Sequence, residues 1–375
     1  MAHKHLKGLN TLRFFAATLV VMDHGRHHLS EMNIDFAENL KVFHRGTVAV
    51  DFFFALSGFL ISYLAFSEIK QTGKINYRFF YIRRALRIMP LYYLTLTVTL
   101  ILIAFIVPLL LNESKLGFPL FEGALLFIVM LPNLVKPLWD STVGGINILW
   151  SIGVEEQFYL VFPLIMFCLK KAKSKLIIAL FIYLGYLAFY WAVQYGFITS
   201  NEVLIKFLGT LKFHFMLMGI FFSLFAHKHL ENSDLKSFYY NLINNNIVQI
   251  VIFTLALLIL FIDFNIASIF KDIFSSLVFS LLILIVSHRT KGSVFNLNIK
   301  FLSYFGVISY GIYLLHPLVS YGLRMAVVKI GFLNSLVQSF PIVYILLLLV
   351  LTLYVSKLSY RYFETKFLNL KDRFR

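Results

Sequence analysis

Residues 9–24, LNTLRFFAATLVVMDH, form the first strongly apolar stretch of this 375-residue chain, and an arginine and a histidine stand inside it. Arg13 and His24 are eleven residues apart. A helix would turn both side chains to one face, within about 20°, and separate them by roughly 16 Å along its axis. Ionisable groups inside a membrane helix are costly and mark a functional site by default. The structural alternative is an Arg13 that snorkels to the inner headgroups and a His24 that is merely an interfacial polar residue.

Composition supports the membrane reading. Hydrophobic residues make up 59% of the chain, charged residues only 14%, and phenylalanine occurs 42 times. A soluble domain carries nearly twice that charge and cannot hide so much apolar surface. The fold class expected is an all-α polytopic membrane protein forming a single domain over residues 1–375, with no internal repeat and no appended soluble domain. The net charge of +16 sits in short loops between apolar stretches, so it signals topology and not a nucleic-acid partner. The single cysteine, Cys168, allows neither a disulfide framework nor a thiolate metal cluster. Arg13, Asp23 and the missing small-residue cleavage site exclude a removable signal peptide.

Eleven apolar stretches lie near 9–29, 48–67, 88–111, 120–134, 149–169, 176–195, 206–226, 247–263, 269–287, 301–322 and 340–358. Basic loops mark the inner side: Lys4 and Lys7, Lys70 to Arg87, the KKAKSK run at 170–175, His288 to Lys291, and the tail from Lys357. Strict alternation through all eleven would put KKAKSK outside. Treating 120–134 as a re-entrant segment, short and interrupted by Pro132-Asn133, repairs every later loop at once. The expectation is ten spans plus one re-entrant element, both termini cytoplasmic, in the inner (cytoplasmic) membrane.

That topology assigns depths. His24 and His316 each lie fifteen residues up their spans from inside. Glu155 and Glu156 enter from outside on the fifth apolar stretch, and Asp51 begins the second. All five would share one outer-half layer. Proton transfer suits this set: a histidine takes a proton from a hydroxyl while a carboxylate orients it. A metal is not expected, because no segment carries histidines at ligand spacing. A second cluster, Arg83, Arg84 and Arg87, stands at the inner start of the third span, and arginines clamp phosphates bidentately. The positive-inside rule alone could also place them there. Arg13 would extend this patch into the membrane. Together the clusters suggest a phosphate-bearing donor held inside, a base in the outer half, and a group passing between them.

Six stretches in order, LNTLRFFAATLVVMDH, VDFFFALSGFLIS, YIRRALRIMPLYYL, ILWSIGVEEQFYLVFPL, SYGIYLLHPLV and YRYFETKF, resemble the acyltransferase family 3 of membrane O-acyltransferases over nearly the whole chain. The Arg13–His24 spacing and the arginines at 83, 84 and 87 carry the resemblance most specifically. It implies transfer of an acyl group, most often acetyl, from acyl-coenzyme A to a hydroxyl of a cell-envelope carbohydrate, lipid-linked or polymeric. It also implies Arg13 and His24 as essential site residues. Glu155 or Glu156 would assist His24, as general base or transient acyl acceptor, and Arg83, Arg84 and Arg87 would hold the donor phosphates. Membrane lipids surround the protein; the oligomeric state is not fixed by the sequence.

Other residues read two ways. Ser57 and Gly58 suit close helix packing or an oxyanion or substrate role. Trp150 and Tyr159 suit interfacial packing or sugar-stacking platforms, Arg361 and Glu364 an ion pair, and Pro317 a helix break. The competing function is a polysaccharide or lipid-linked glycan exporter without chemistry. An exporter has no evident need for three arginines just inside the membrane.

Overall fold

In lipid, a backbone must satisfy its own hydrogen bonds, and apolar runs of this length do so as helices. The computed structural model describes residues 8–106, 116–141, 145–171, 174–228, 233–263, 267–288, 294–295 and 297–374, and among the described residues there is no strand. The chain begins with α1 (Leu9–Glu31), α2 (Gly46–Thr72) and α3 (Tyr77–Ile101), the last extended by a π-helical turn to Ile106. Two short helices, α4 (Leu120–Ile128) and α5 (Val135–Trp139), precede α6 (Leu149–Lys171) and α7 (Lys175–Gln194). Then come α8 (Glu202–Thr210), α9 (Phe213–Lys228), α10 (Ser233–Asn244), α11 (Asn246–Phe261) and α12 (Ser268–Ser287). The chain closes with α13 (Lys300–Val307), α14 (Ser309–Lys329), α15 (Gly331–Ser339), α16 (Ile342–Ser359) and α17 (Thr365–Lys371).

Among the described residues, eight helices are long and apolar enough to cross a membrane, so the chain is a polytopic membrane protein. The two others of the expected ten are α11, which is shorter, and α1, whose apolar run is broken by Arg13, Asp23, His24 and Arg26. The basic markers Lys4, Lys7, Lys173, Arg289 and Lys291 lie outside the described residues.

Side-chain contacts fix the helix directions that position the site. Thr11 meets Ser303, His24 meets His316 and Arg324 meets Glu31, so α1 runs parallel to α13 and α14. Asp23 accepts the Gly46 N–H, so α2 returns antiparallel to α1. Lys212 meets Asp51 and His227 meets Ser67, so α9 runs parallel to α2. That pair is close-packed because it has glycines where the backbones meet. A Cβ at Gly58 would overlap the Met216 backbone, and one at Gly219 the Ala55 carbonyl. Small residues allow this approach where lipid supplies no hydrophobic drive, so the packing expectation for Gly58 holds.

The 120–134 stretch is no span. α4 has nine residues, and its last carbonyls, Phe127 and Ile128, accept from the hydroxyls of Tyr92 and Tyr93 in the middle of α3. Pro132 packs where a Cβ on Gly153 would sit, and Asn133 bonds Gln157 and Thr210. The element folds back against α3 and α6 with its polar backbone satisfied by protein.

Candidate active site

The structure brings Arg13, His24, Arg84, Arg87, Glu155, Glu156, Ser57 and His316 onto one set of neighbouring helices, but in two layers and not one. The upper layer is the histidine pair. His24 Nδ1 lies 2.6 Å from His316 Nε2, with the rings stacked at 4.9 Å. His316 is fully buried, while His24 is half-buried.

The tautomers follow from backbone carbonyls. His316 Nδ1 faces the Tyr313 carbonyl at 2.7 Å and that of Ile312 at 3.2 Å, and can only donate to them. In the neutral ring its Nε2 is then an acceptor, so His24 Nδ1 donates. This leaves His24 Nε2 with a free lone pair. Pro317 belongs to this arrangement. It was expected to break the helix, but α14 runs straight through it. A proline has no N–H for the carbonyl four residues back, which here is Tyr313. His316 takes the place of that missing donor.

The lower layer is arginine-rich. Arg13 lies within electrostatic reach of Arg87, Glu155, Arg84 and Tyr159. Arg87 feels Arg84, Tyr159, Glu155 and Tyr310, and its side chain is exposed. Arg84 stacks over the Tyr159 ring at 5.1 Å and near Phe80 at 5.9 Å. Glu155 Oε1 accepts from both Ser57 and Tyr159, whose hydroxyls lie 2.6 Å apart. Glu156 Oε1 is buried with no hydrogen-bond partner. Among the described residues no ion pair joins Arg13, Arg84 or Arg87 to either glutamate.

Four expectations change here. The carboxylates are not on His24, whose Nδ1 partner is His316. The cause is the starting depth of α6: the Ile148 carbonyl accepts from Tyr313, one turn below His316, so Glu155 sits two turns lower still, beside Arg13. Asp51 leaves the layer altogether, because it faces α9 and receives Lys212 Nζ at 2.9 Å on both oxygens. Arg83 is already occupied, donating to Glu68 at 3.0 Å and to the Phe374 carbonyl at 2.8 Å. Arg361 and Glu364 likewise form no ion pair: Glu364 accepts from Ser359, and Arg361 lies over Tyr362.

Sequence reasoning missed Lys212, His214 and Asp272, which join Asp51 in a second buried cluster. His214 is fully buried, its Nε2 3.7 Å from Asp272. The signal was present, since all three interrupt apolar stretches. Tyr159, weighed as an interfacial packing aromatic or a sugar-stacking platform, ties Glu155 to Ser57 and Arg84.

The profile of acyltransferase family 3, described as an acyltransferase domain, matches residues 6–361. An O-acetyltransferase OatA of Staphylococcus aureus is 26% identical over 374 residues, covering 96% of this chain and 57% of that protein. A peptidoglycan O-acetyltransferase OatA of Listeria monocytogenes is 27% identical over 199 residues, 51% of this chain and 29% of that protein. A putative peptidoglycan O-acetyltransferase YrhL of Bacillus subtilis is 26% identical over 184 residues, 46% and 26% respectively. The chain thus spans little more than half the length of the first of these relatives and a smaller share of the other two. No solved structure matches. With the family profile covering nearly the whole chain, and the arginine and histidine motifs in place on α1, α3 and α14, the protein belongs to acyltransferase family 3.

Proposed function

We propose that this protein is a membrane O-acyltransferase that moves an acyl group, most simply acetyl, from acyl-coenzyme A to a hydroxyl of a cell-envelope carbohydrate. The observation that carries this reading is the histidine relay, because it leaves His24 Nε2 as an unprotonated base inside the helix bundle. In this reading Nε2 takes the proton from the acceptor hydroxyl as its oxygen attacks the thioester carbonyl. The same nitrogen then returns the proton to the departing thiolate, so no net proton is consumed. His316 holds the ring in register and keeps Nδ1 protonated throughout.

The lower layer supplies the donor side. Arg13, Arg84 and Arg87 bring three guanidinium groups to one place, against the two carboxylates Glu155 and Glu156, and no ion pair neutralises them. Such a site suits phosphate groups. The roughly 16 Å between Arg13 and His24 along α1 is a distance that an extended pantetheine arm covers. The sidedness that goes with this, with phosphates inside, acceptor outside and ten spans plus the folded-back 120–134 element, is part of the same proposal.

Purified protein in lipid nanodiscs, given acetyl-coenzyme A and peptidoglycan oligosaccharides, should release coenzyme A and acetylate the glycan. Glycan binding and transmembrane transport with no thioester cleavage would overturn the proposal in favour of an exporter.

A further inference from the structure

The outer ends of α1, α14 and α15 enclose a cleft that the histidine chemistry does not use. Glu31, Met32, Ile34, Arg324, Val327 and Val328 line it, and Asn334 and Gln338 of α15 complete the wall. It holds about 190 Å3 of space and is open to the outside. Glu31 lies seven residues beyond His24 on α1, two helical turns away and back on the same face to within about 20°. His28, between them, contacts Glu31 at 3.3 Å and lies beside Tyr321, with ring centroids 6.4 Å apart. The cleft is therefore the outer continuation of the α1–α14 seam in which His24 meets His316.

The chemistry of the lining is specific. Glu31 and Arg324 pair with each other, so the cleft carries no net charge and offers nothing for a phosphate group. Two amides, Asn334 and Gln338, each present a donor and an acceptor. Val327, Val328, Met32 and Ile34 supply an apolar floor. A floor for the apolar face of a sugar ring, with paired polar groups at its edge for vicinal hydroxyls, is what a neutral saccharide requires.

Resting on the function proposed above, we infer that this cleft is the acceptor subsite, which binds a neutral sugar unit of the glycan and delivers a hydroxyl down the seam to His24. Coenzyme A does not bind there.

The test separates binding from chemistry. Chitotetraose is titrated into the full chain in detergent, and acetyl transfer from acetyl-coenzyme A is followed on the same preparations. Wild type should bind chitotetraose. Asn334→Ala with Gln338→Ala should weaken binding about tenfold, as expected for the loss of one or two hydrogen bonds. Val328→Trp, which fills the floor from an exposed position, should do at least as much. Coenzyme A binding should be unchanged in all of them. His24→Gln should bind chitotetraose normally and transfer nothing. Absence of wild-type binding, or equal binding in the cleft variants, overturns the subsite. Normal binding and normal cleft-variant losses, with no transfer by wild type, overturn the acyltransferase reading and leave the saccharide site standing.

Discussion

Two polar clusters lie among the helices of this molecule, the first buried and the second partly open, and they are built in opposite ways. On the α2–α9–α12 side, Asp51 receives both its contacts from Lys212, and Asp272 lies beside His214. The charges of Asp51 and Lys212 are matched there within the protein. On the α1–α3–α6–α14 side, Arg13, Arg84 and Arg87 have no carboxylate in contact, Glu156 Oε1 has no partner, and His24 keeps a free nitrogen. A buried charge without a partner is expensive, and removing one half of a buried pair is more expensive still. A pair that satisfies itself serves the packing of its helices. One that leaves charges open serves a ligand. By this criterion the Asp51–Lys212 pair is structural, although its residue types are those of an active site, while His214, both of whose ring nitrogens are buried without a hydrogen bond, does not meet it.

The sharpest way to break the comparison is at His24. His24→Ala should lower transfer by about 10²–10⁴-fold, the usual worth of a general base, with acyl-coenzyme A binding retained. His24→Gln should be no better, since an amide takes no proton near neutral pH. Transfer near wild type in His24→Gln, measured by acetylated product, would show that the open cluster is as structural as the other.

Removing one partner in the closed cluster should damage the fold and spare the chemistry. Lys212→Met leaves Asp51 buried and alone, at about 3–5 kcal/mol by analogy with other buried pairs. Asp51→Asn added to Lys212→Met should recover most of that loss, because both charges are then gone. Thermal unfolding in detergent reads the stability, and turnover per folded molecule should stay within a few fold. A collapse of turnover in the stable double variant would return Asp51 to the active site.

The arginines of α3 split along the same line. Arg87→Ala should weaken acyl-coenzyme A binding by about 1.5–3 kcal/mol, the worth of a charged hydrogen bond. Arg83→Ala should leave donor affinity nearly untouched and lower stability slightly, since its guanidinium already holds Glu68 and the Phe374 carbonyl. Equal losses of affinity in both variants would mean that Arg83 leaves these partners when the donor binds.

This split shows where the sequence was legible. Apolar runs, glycine at the α2–α9 crossing and the Pro132-Asn133 break followed from composition and hydrogen-bond satisfaction, and the structure has them. Depth along α6 did not. It depends on Ile148 meeting Tyr313 just before α6 begins, which no local pattern encodes, so Glu155 stands beside Arg13 and not beside His24. The pairings of Asp51 with Lys212 and Arg83 with Phe374 join residues 161 and 291 positions apart. Periodicity says nothing about such partners. Pro317 departs from its expected helix break for a different reason: a helix interior tolerates proline when another donor takes the freed carbonyl, and the residue that does so is its neighbour.

Pro317→Ala sharpens the relay itself. Alanine restores an N–H that competes with His316 for the Tyr313 carbonyl and removes a poor helix former. The variant should be as stable as wild type or more so, yet slower by a few fold in kcat, with KM for the donor unchanged. The pH profile should move as well, because His24 loses its fixed tautomer. An unchanged pH profile in a stable Pro317→Ala protein would make the proline a matter of packing alone.

The smallest effect is expected where charges are paired but not buried. Lys41 and Arg45 meet Asp263 at 2.9 and 2.7 Å in the loops beyond α1 and α11, with Asp263 half exposed. Hydrogen bonds from Lys41 and then Arg45 hold the Asp263 carboxyl down at about 2. A carboxyl depressed on folding stabilises above its unfolded pKa, near 4, and the contribution fades as pH falls through the folded value. Any benefit is thus complete at neutral pH and disappears only in strong acid. Solvent and salt screen the half-exposed Asp263 and Lys41 to little net worth, although the Arg45 side chain is itself only 11% exposed. Arg45 also keeps its bond to the Leu260 carbonyl when the aspartate is gone. Asp263→Asn should therefore shift the melting temperature at neutral pH by no more than the measurement error, and raising the salt should shrink even that. A clear loss of stability, greater at pH 7 than at pH 2, would show that pairing without burial is enough to hold these loops. Burial would then no longer be what separates the two clusters from the rest of the charged surface.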